Sequence, residues 1–156
     1  GAQAARGGAI ALLGDGIVFD VRKARFDACE AREIGGAVYA SGAQSARIDD
    51  ARFYQCSAGN SGGALYVSDV RSARISAQFA QCSADTSGGA LSFVDVREPT
   101  VLDAHFDRCS ASDRGGALHI LNAAQLRVDN VTIYLCSTGG GGGGGMLLDN
   151  VHSTAL

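Results

Sequence analysis

Apolar residues in this chain alternate with small or polar residues over short segments that recur at a nearly constant interval. Each segment begins with a pair of glycines, and the segments read GGAIAL, GGAVYA, GGALYV, GGALSF, GGALHI and GGMLLD. In GGALSF, strand alternation places Leu91 and Phe93 on one face and Ser92 on the other. The pattern therefore predicts a short β-strand after each glycine pair.

The glycine pairs define a repeat of 26 to 29 residues, with coils that start near residues 7, 35, 62, 88, 115 and 144. A second signal recurs in phase, because five cysteines follow one another at intervals of 26 or 27 residues. Solenoids built from pairs of helices usually need about 33 to 47 residues in each repeat. A shorter repeat made of short strands suits one turn of a β-solenoid. The sequence therefore predicts an all-β, single-stranded parallel β-helix of about five coils.

Stacking of the coils predicts continuous apolar rows inside the solenoid, which lets the coils share one core. One predicted row consists of Ile10, Val38, Leu65, Leu91, Leu118 and Leu147. A second row, on another wall, consists of Phe26, Phe53, Phe79, Phe106 and Ile133. We expect residues 1–156 to form a single domain or a segment of a longer solenoid. The glycine run 139–145 is expected to form a loop before the last coil.

Composition and charge narrow the function classes. The formal net charge of −3 argues against nucleic acid as a partner, which requires a basic surface. No run of 18 apolar residues occurs, so no membrane span is expected in this segment. The three histidines fall at different positions of the repeat, and no phosphate-binding loop or known catalytic motif is present. We therefore expect no catalytic residue, no metal and no cofactor.

The cysteines form a predicted column, one in each coil. Neighbouring coils about 4.8 Å apart would bring successive cysteine Cα atoms within the separation that a disulfide tolerates, about 4.4 to 6.8 Å. We favour a structural column of buried thiols. Disulfides between some adjacent coils, or a metal or redox function, are the alternatives. The column consists of Cys29, Cys56, Cys82, Cys109 and Cys136.

Four residues of the strands after the glycine pairs form a candidate binding ladder. Tyr39, Tyr66, Ser92 and His119 are expected to project side by side from the solenoid. Aromatic rings in such a ladder could bind a glycan, a peptide or another solenoid, and surface stacking between coils is the alternative. Separately, Asn130-Val131-Thr132 is an N-glycosylation sequon, which makes Asn130 a candidate for modification.

Both halves of the repeat resemble the repeat of polymorphic outer-membrane proteins, in which GGA and an aliphatic residue precede Phe-x-x-Asn. Here GGA and an aliphatic residue occur in five coils, and the second half reads FDAC, FYQC, FAQC and FDRC, with cysteine at the asparagine position. Those proteins are adhesins with a pectin-lyase-like parallel β-helix. The resemblance covers roughly residues 6–150. It implies a right-handed coil, an extracellular or cell-surface location and a role in contact.

We interpret the chain as a non-catalytic structural or interaction module, a rigid rod that mediates adhesion or assembly into a larger complex or filament. Neither end carries a polar cap, so we expect protein partners or neighbouring copies to bind through the solenoid ends or the outward ladder. Glycans are further candidate partners. The alternative is a carbohydrate-binding or polysaccharide-degrading β-helix, a lyase or hydrolase, which needs acidic groups or a basic catalyst in a groove. An ice-binding solenoid would need a threonine-rich column, which the sequence lacks.

Overall fold

The strands of the chain form three parallel sheets, and every coil contributes to each sheet. The computed structural model describes residues 4–155, which contain no helix and therefore none that could cross a membrane. Strands are numbered in chain order. Sheet A contains β1 (Ala4–Arg6), β5 (Glu30–Ile34), β8 (Ser57–Ala58), β11 (Ser83–Ala84), β15 (Ser110–Ala111) and β19 (Ser137–Thr138).

Sheet B contains β2 (Ile10–Leu13), β6 (Val38–Ser41), β9 (Leu65–Ser68), β12 (Leu91–Val94), β16 (Leu118–Ala123) and β20 (Met146–Val151). Sheet C contains β3 (Val18–Arg22), β4 (Arg25–Asp27), β7 (Ser45–Tyr54), β10 (Ser72–Ala80), β13 (Glu98–Leu102), β14 (His105–Asp107), β17 (Leu126–Asp129), β18 (Thr132–Tyr134) and β21 (Thr154–Ala155). Pairing is parallel throughout these sheets, so the predicted β-solenoid of about five turns is confirmed.

Residues at the same position of the repeat lie opposite one another in neighbouring coils. Leu65, for example, pairs with Val38 on one side and with Leu91 on the other. The register shifts once between β7 and β10, because Asp50 adopts a positive φ and has no partner in β10. As a result, β10 runs without interruption for nine residues, whereas the sheet C segments of the next two coils are each divided into two strands.

The last coil starts one residue earlier than the sequence pattern predicted. Gly143 has the positive φ found at the first glycine of the other pairs, and Leu118 pairs with Met146. Leu147 consequently pairs with His119 and does not join the core, so its predicted place in the first apolar row is wrong. A run of glycines carries no side chains that mark the register. Hydrogen bonds to the preceding coil fix it.

One core fills the space between the three sheets, and the predicted phenylalanine row runs through it. The ring centroids of Phe53 and Phe79 lie 4.9 Å apart with their planes 7° from parallel, and Phe26 and Phe106 extend the stack at 4.8 Å on either side. Ile133 packs against this core in the fifth coil, as predicted. The in-register stack places an aromatic ring at the same depth in four successive coils.

The glycine pairs form the bend that leads from sheet A into sheet B. The first glycine of the third pair, Gly62, has φ of +65°, a conformation that glycine adopts without a steric penalty. A Cβ on the second glycine, Gly63, would overlap the carbonyl oxygens of Gly89 and Ser83. The bend therefore requires glycine at both positions, one for its dihedral angle and one for close approach of the next coil.

Candidate functional site

The predicted ladder of Tyr39, Tyr66, Ser92 and His119 forms one column of sheet B on the face away from the core. The expected exposure of this column is wrong. Tyr39 and His119 are each 5% exposed, Ser92 is fully buried and Tyr66 is half-buried. Binding by these residues stays a prediction, but a partner would reach little of their surface in this conformation.

The glycine bends explain this burial. A Cβ at Gly62 would lie 3.1 Å from Cβ of Tyr66, and one at Gly88 would lie 3.1 Å from Cβ of Ser92. The backbone of each bend therefore packs directly on the outward column. Arg6 adds cover at one end, where its guanidinium lies 5.5 Å from the ring centre of Tyr39.

Two polar atoms of the covered column have no hydrogen-bond partner among the described residues, Oγ of Ser92 and Nε2 of His119. Their residues pair directly across β12 and β16. Burial, followed by the positive charge of Arg114, lowers the pKa of His119 from its ordinary value. His119 is therefore neutral at physiological pH, and the column carries no net charge there.

Exposed aromatic residues lie instead on the outer face of sheet C. Tyr54 is 41% exposed and Tyr134 is 54% exposed, and both occupy the position that follows the inward phenylalanine or isoleucine. Sequence reasoning did not single them out, although a signal was present. Alternation from the inward Phe53 places Tyr54 on the outer face.

The outer face of sheet C also carries charged side chains, most of them in ion pairs within one coil. Arg25 pairs with Asp27 at 2.8 Å, and Arg47 pairs with Asp49. Arg52 and Arg74 lie on the same face, and neither has a carboxylate within ion-pairing distance in residues 4–155. Two guanidinium groups on this face are thus free to bind an external anion.

A shallow depression of about 170 Å³ lies across coils one to three on this face, and the ion-paired Arg25 and Asp27 of β4 border it on one side. Arg52 and Tyr54 border it in β7, and Gln78 and Ala80 border it in β10. Because Ala80 carries only a methyl group, the surface falls away beside the tyrosine ring. An aromatic ring, a guanidinium and an amide thus converge on one open recess, which can accept both hydrogen bonds and flat apolar groups.

A second concave region, of about 320 Å³, lies at the corner between sheets B and C. Asn122 donates to Asp95 at 2.8 Å, and Asn150 donates to Asn122 at 2.7 Å, so these side chains form a ladder along the corner. Arg97 and His152 line the same groove. The groove combines a carboxylate with basic side chains, although Asp95 is the only acidic residue that lines it.

The predicted cysteine column is present, with one cysteine of each coil in line and all five as free thiols. Cys56, Cys82 and Cys109 are fully buried, whereas the thiols at the two ends of the column are half-buried. From the second coil to the fifth, each sulfur lies near the same two carbonyl oxygens. The thiol of Cys56 donates to the carbonyl oxygens of Tyr54 and of residue 26 in the preceding coil, both at 3.6 Å.

The pKa shifts of these thiols alternate in direction from one coil to the next. Burial, followed by the neighbouring Cys56, raises the pKa of Cys29 to about 11. Hydrogen bonding to Cys109 and Cys56, together with burial, raises the pKa of Cys82. The pKa values of Cys56 and Cys109 shift the other way, because hydrogen bonds from neighbouring thiols lower them. It is burial of the three central sulfurs, and not a uniform pKa shift, that limits their access to reagents.

Asn130 lies at an exposed corner with φ of +50°, and its Nδ2 donates to Asp103 at 2.7 Å. Glycosylation would use this same nitrogen and would leave it one N–H to donate. Across residues 4–155, no three side chains of the metal-binding types cluster as ligands would.

Comparison with known proteins adds no relative. No protein-family model matches the chain, and neither a curated protein nor a solved structure matches it at a significant level.

Proposed function

We propose that this chain is a non-catalytic interaction module, a rigid β-solenoid rod whose outer sheet C surface contacts a partner in adhesion or assembly. The observation that carries the proposal is the outer face of sheet C. There, exposed tyrosines share one hydrogen-bonded scaffold with two arginines that have no carboxylate partner in residues 4–155. Tyrosine and arginine are the residues most enriched in interface hot spots. A rigid scaffold lowers the entropy cost of binding, because little needs to be ordered.

The repeat itself supports a surface role. We propose that the coils are of the polymorphic outer-membrane protein type within the pectin-lyase-like β-helices, and that the rod lies extracellularly or at a cell surface. The partners are other proteins or neighbouring copies, and glycans are a further candidate. The support is the GGA and Phe-x-x-Cys pattern, which recurs in order in four coils.

Site-specific photo-crosslinking tests the proposed contact surface. A photoreactive amino acid replaces Tyr54 on sheet C, and the matched control replaces Ser83 on sheet A, in cells that produce the protein. We expect discrete adducts from position 54 and none from position 83. Equal labelling from both faces, or none from either, would contradict a contact surface on sheet C.

The corner groove between sheets B and C favours a second candidate function, a carbohydrate-active β-helix. Asp95, Arg97 and His152 line this groove together, and a lyase or hydrolase needs acid and base groups on either side of a sugar. The test incubates the protein with neutral and acidic polysaccharides and measures new reducing ends. Turnover that is lost in Asp95→Asn would establish this candidate and refute the non-catalytic proposal. No turnover, together with sheet C adducts, would support the rod.

A further inference from the structure

The outer side of β10 forms a trough across sheet C. Three of the five outward residues of β10 have short side chains, namely Ser72, Ser76 and Ala80. The other two, Arg74 and Gln78, are longer. The strand before it presents the longer side chains of Arg47, Asp49, Arg52 and Tyr54. The strands after it present Glu98, Thr100, Leu102, His105 and Asp107. Nine residues at about 3.3 Å each make the trough about 30 Å long. It is straight because β10 has no counterpart of Asp50.

Three charged side chains without ion-pair partners among the described residues face the trough, namely Arg52, Arg74 and, beside Ser72, Glu98. The net charge of the trough is therefore positive, although the chain as a whole has a formal charge of −3. Asp49 is paired with Arg47, and Asp107 with Arg108 at 3.6 Å, so their carboxylates are already neutralised. Arg74 lies on the floor and has no carboxylate partner among the described residues. Arg52 forms part of one wall beside Gln78 and also has none. Along the strand direction, the backbone positions of the two arginines are offset by four residues, about 13 Å.

The backbone of β10 offers nothing to an added strand. β10 pairs with β7 on one edge and with β13 and β14 on the other, so its main-chain groups are occupied along most of its length. A partner must therefore be recognised through side chains. The Ser76 hydroxyl and the Gln78 amide can each donate and accept hydrogen bonds at the floor of the trough.

We propose that this trough binds an extended acidic peptide segment of a partner protein, with carboxylates four residues apart on Arg74 and Arg52. An extended peptide rises about 3.3 Å per residue and points residues i, i+4 and i+6 to one side. Carboxylates at i and i+4 match the spacing of the guanidiniums. The side chain at i+6 reaches the recess beside Tyr54 and Ala80. The ring of Tyr54 borders that end, which favours an aromatic or neutral residue there.

This inference rests on the proposed function, since it names the partner class for the sheet C surface. The test is a fluorescence anisotropy titration of the whole chain with labelled nine-residue peptides of serine. One peptide has glutamate at its second and sixth positions and tyrosine at its eighth. Its isomer has the same composition with glutamate at the second and fifth positions, which face opposite sides of an extended chain. We expect the first peptide to bind more tightly than the isomer, with an affinity that weakens as salt is added.

Variants of the chain locate the binding. Arg52→Gln and Arg74→Gln should each weaken binding about two- to fivefold, as expected for one exposed ion pair. Arg71→Gln is the matched control, because Arg71 is also exposed and unpaired within residues 4–155 but lies outside sheet C, and it should leave affinity unchanged. Ser76→Tyr fills the trough and should abolish binding, while an unchanged circular dichroism melting curve shows that the variant folds.

Equal affinity for the two peptides, or an equal loss in Arg71→Gln, would overturn the proposal in favour of non-specific charge attraction. The proposal would also be overturned if the labelled peptide did not bind and an oligouronate bound in a way that the trough variants abolish. The trough would then be assigned to an acidic glycan. Sheet C adducts without peptide binding would leave the proposed contact function standing and remove only this inference. If neither sheet C adducts nor peptide binding were found, both the proposed contact function and this inference would be refuted.

Discussion

Replacing Phe79 with alanine measures what the phenylalanine stack contributes to stability. The ring of Phe79 is fully buried and stacks on Phe53 at 4.9 Å and on Phe106 at 4.8 Å. Truncating a buried phenylalanine costs about 3 to 5 kcal/mol, from lost transfer free energy and the cavity that remains. Because two stacked pairs disappear, we expect Phe79→Ala to lower the free energy of unfolding by about 4 to 5 kcal/mol.

The first coil provides a matched control at the same repeat position. Phe26 stacks on Phe53 at 4.8 Å, with no second ring on its other side in the described chain, and it is 8% exposed. Phe26→Ala loses one stacked pair, and we expect its cost to be about 0.5 to 1.5 kcal/mol smaller than that of Phe79→Ala. Phe79→Leu, which keeps most of the volume and loses the stacking, should fall between wild type and Phe79→Ala.

The assay is urea unfolding followed by far-ultraviolet circular dichroism, with the slope of the transition checked for each variant. A smaller slope would indicate that only terminal coils unfold, since the slope scales with the surface exposed. A cost for Phe79→Ala equal to or below that of Phe26→Ala, at equal slope, would refute the additive contribution of stacked pairs. If Phe79→Ala does not fold, the comparison of Phe79→Leu with a leucine at position 26 makes the same test.

Three further predictions follow from the bends and the covered columns. Gly89→Ala should yield misfolded or insoluble protein, because the new methyl group would overlap carbonyl oxygens of the neighbouring coil. In Gly141→Ala the methyl group meets no atom within 4 Å, so this control should behave as wild type in solubility and melting assays. In native protein, a thiol reagent at neutral pH should react slowly with Cys29 and Cys136 and more slowly still with the three buried cysteines. The labelling rate at Cys29 should rise with pH up to its pKa of about 11, and rapid labelling of all five cysteines would contradict the buried column. Ser92→Ala should raise the free energy of unfolding by about 1 kcal/mol, because it removes a buried hydroxyl that has no partner; a loss of stability in chemical denaturation would show that this oxygen is hydrogen-bonded.

The sequence determined the fold because one local pattern is repeated and the stacking is in register. Alternation around Leu91 and Phe93 gives each residue the same environment in every coil, so a single coil predicts the others. The phenylalanine row and the cysteine column followed for the same reason. The alternation also predicts that Tyr54 faces outward, because Tyr54 follows the inward Phe53.

Only the tertiary structure decided which outward residues are exposed and where the registers shift. Alternation assigns Ser92 and His119 to the outer face of sheet B, but it contains no information on the glycine bends that pack over that face and bury them. The register of the last coil depends on hydrogen bonds to the preceding coil, because the glycines at its start carry no side chains that mark the register. The position of the register shift, where Asp50 of β7 has no partner in β10, also appears only in the structure. The repeat length and the alternation of apolar residues are local properties of the sequence. The burial of outward side chains, the pairing register and the shape of the outer surface depend on contacts between coils and between each bend and the following strand.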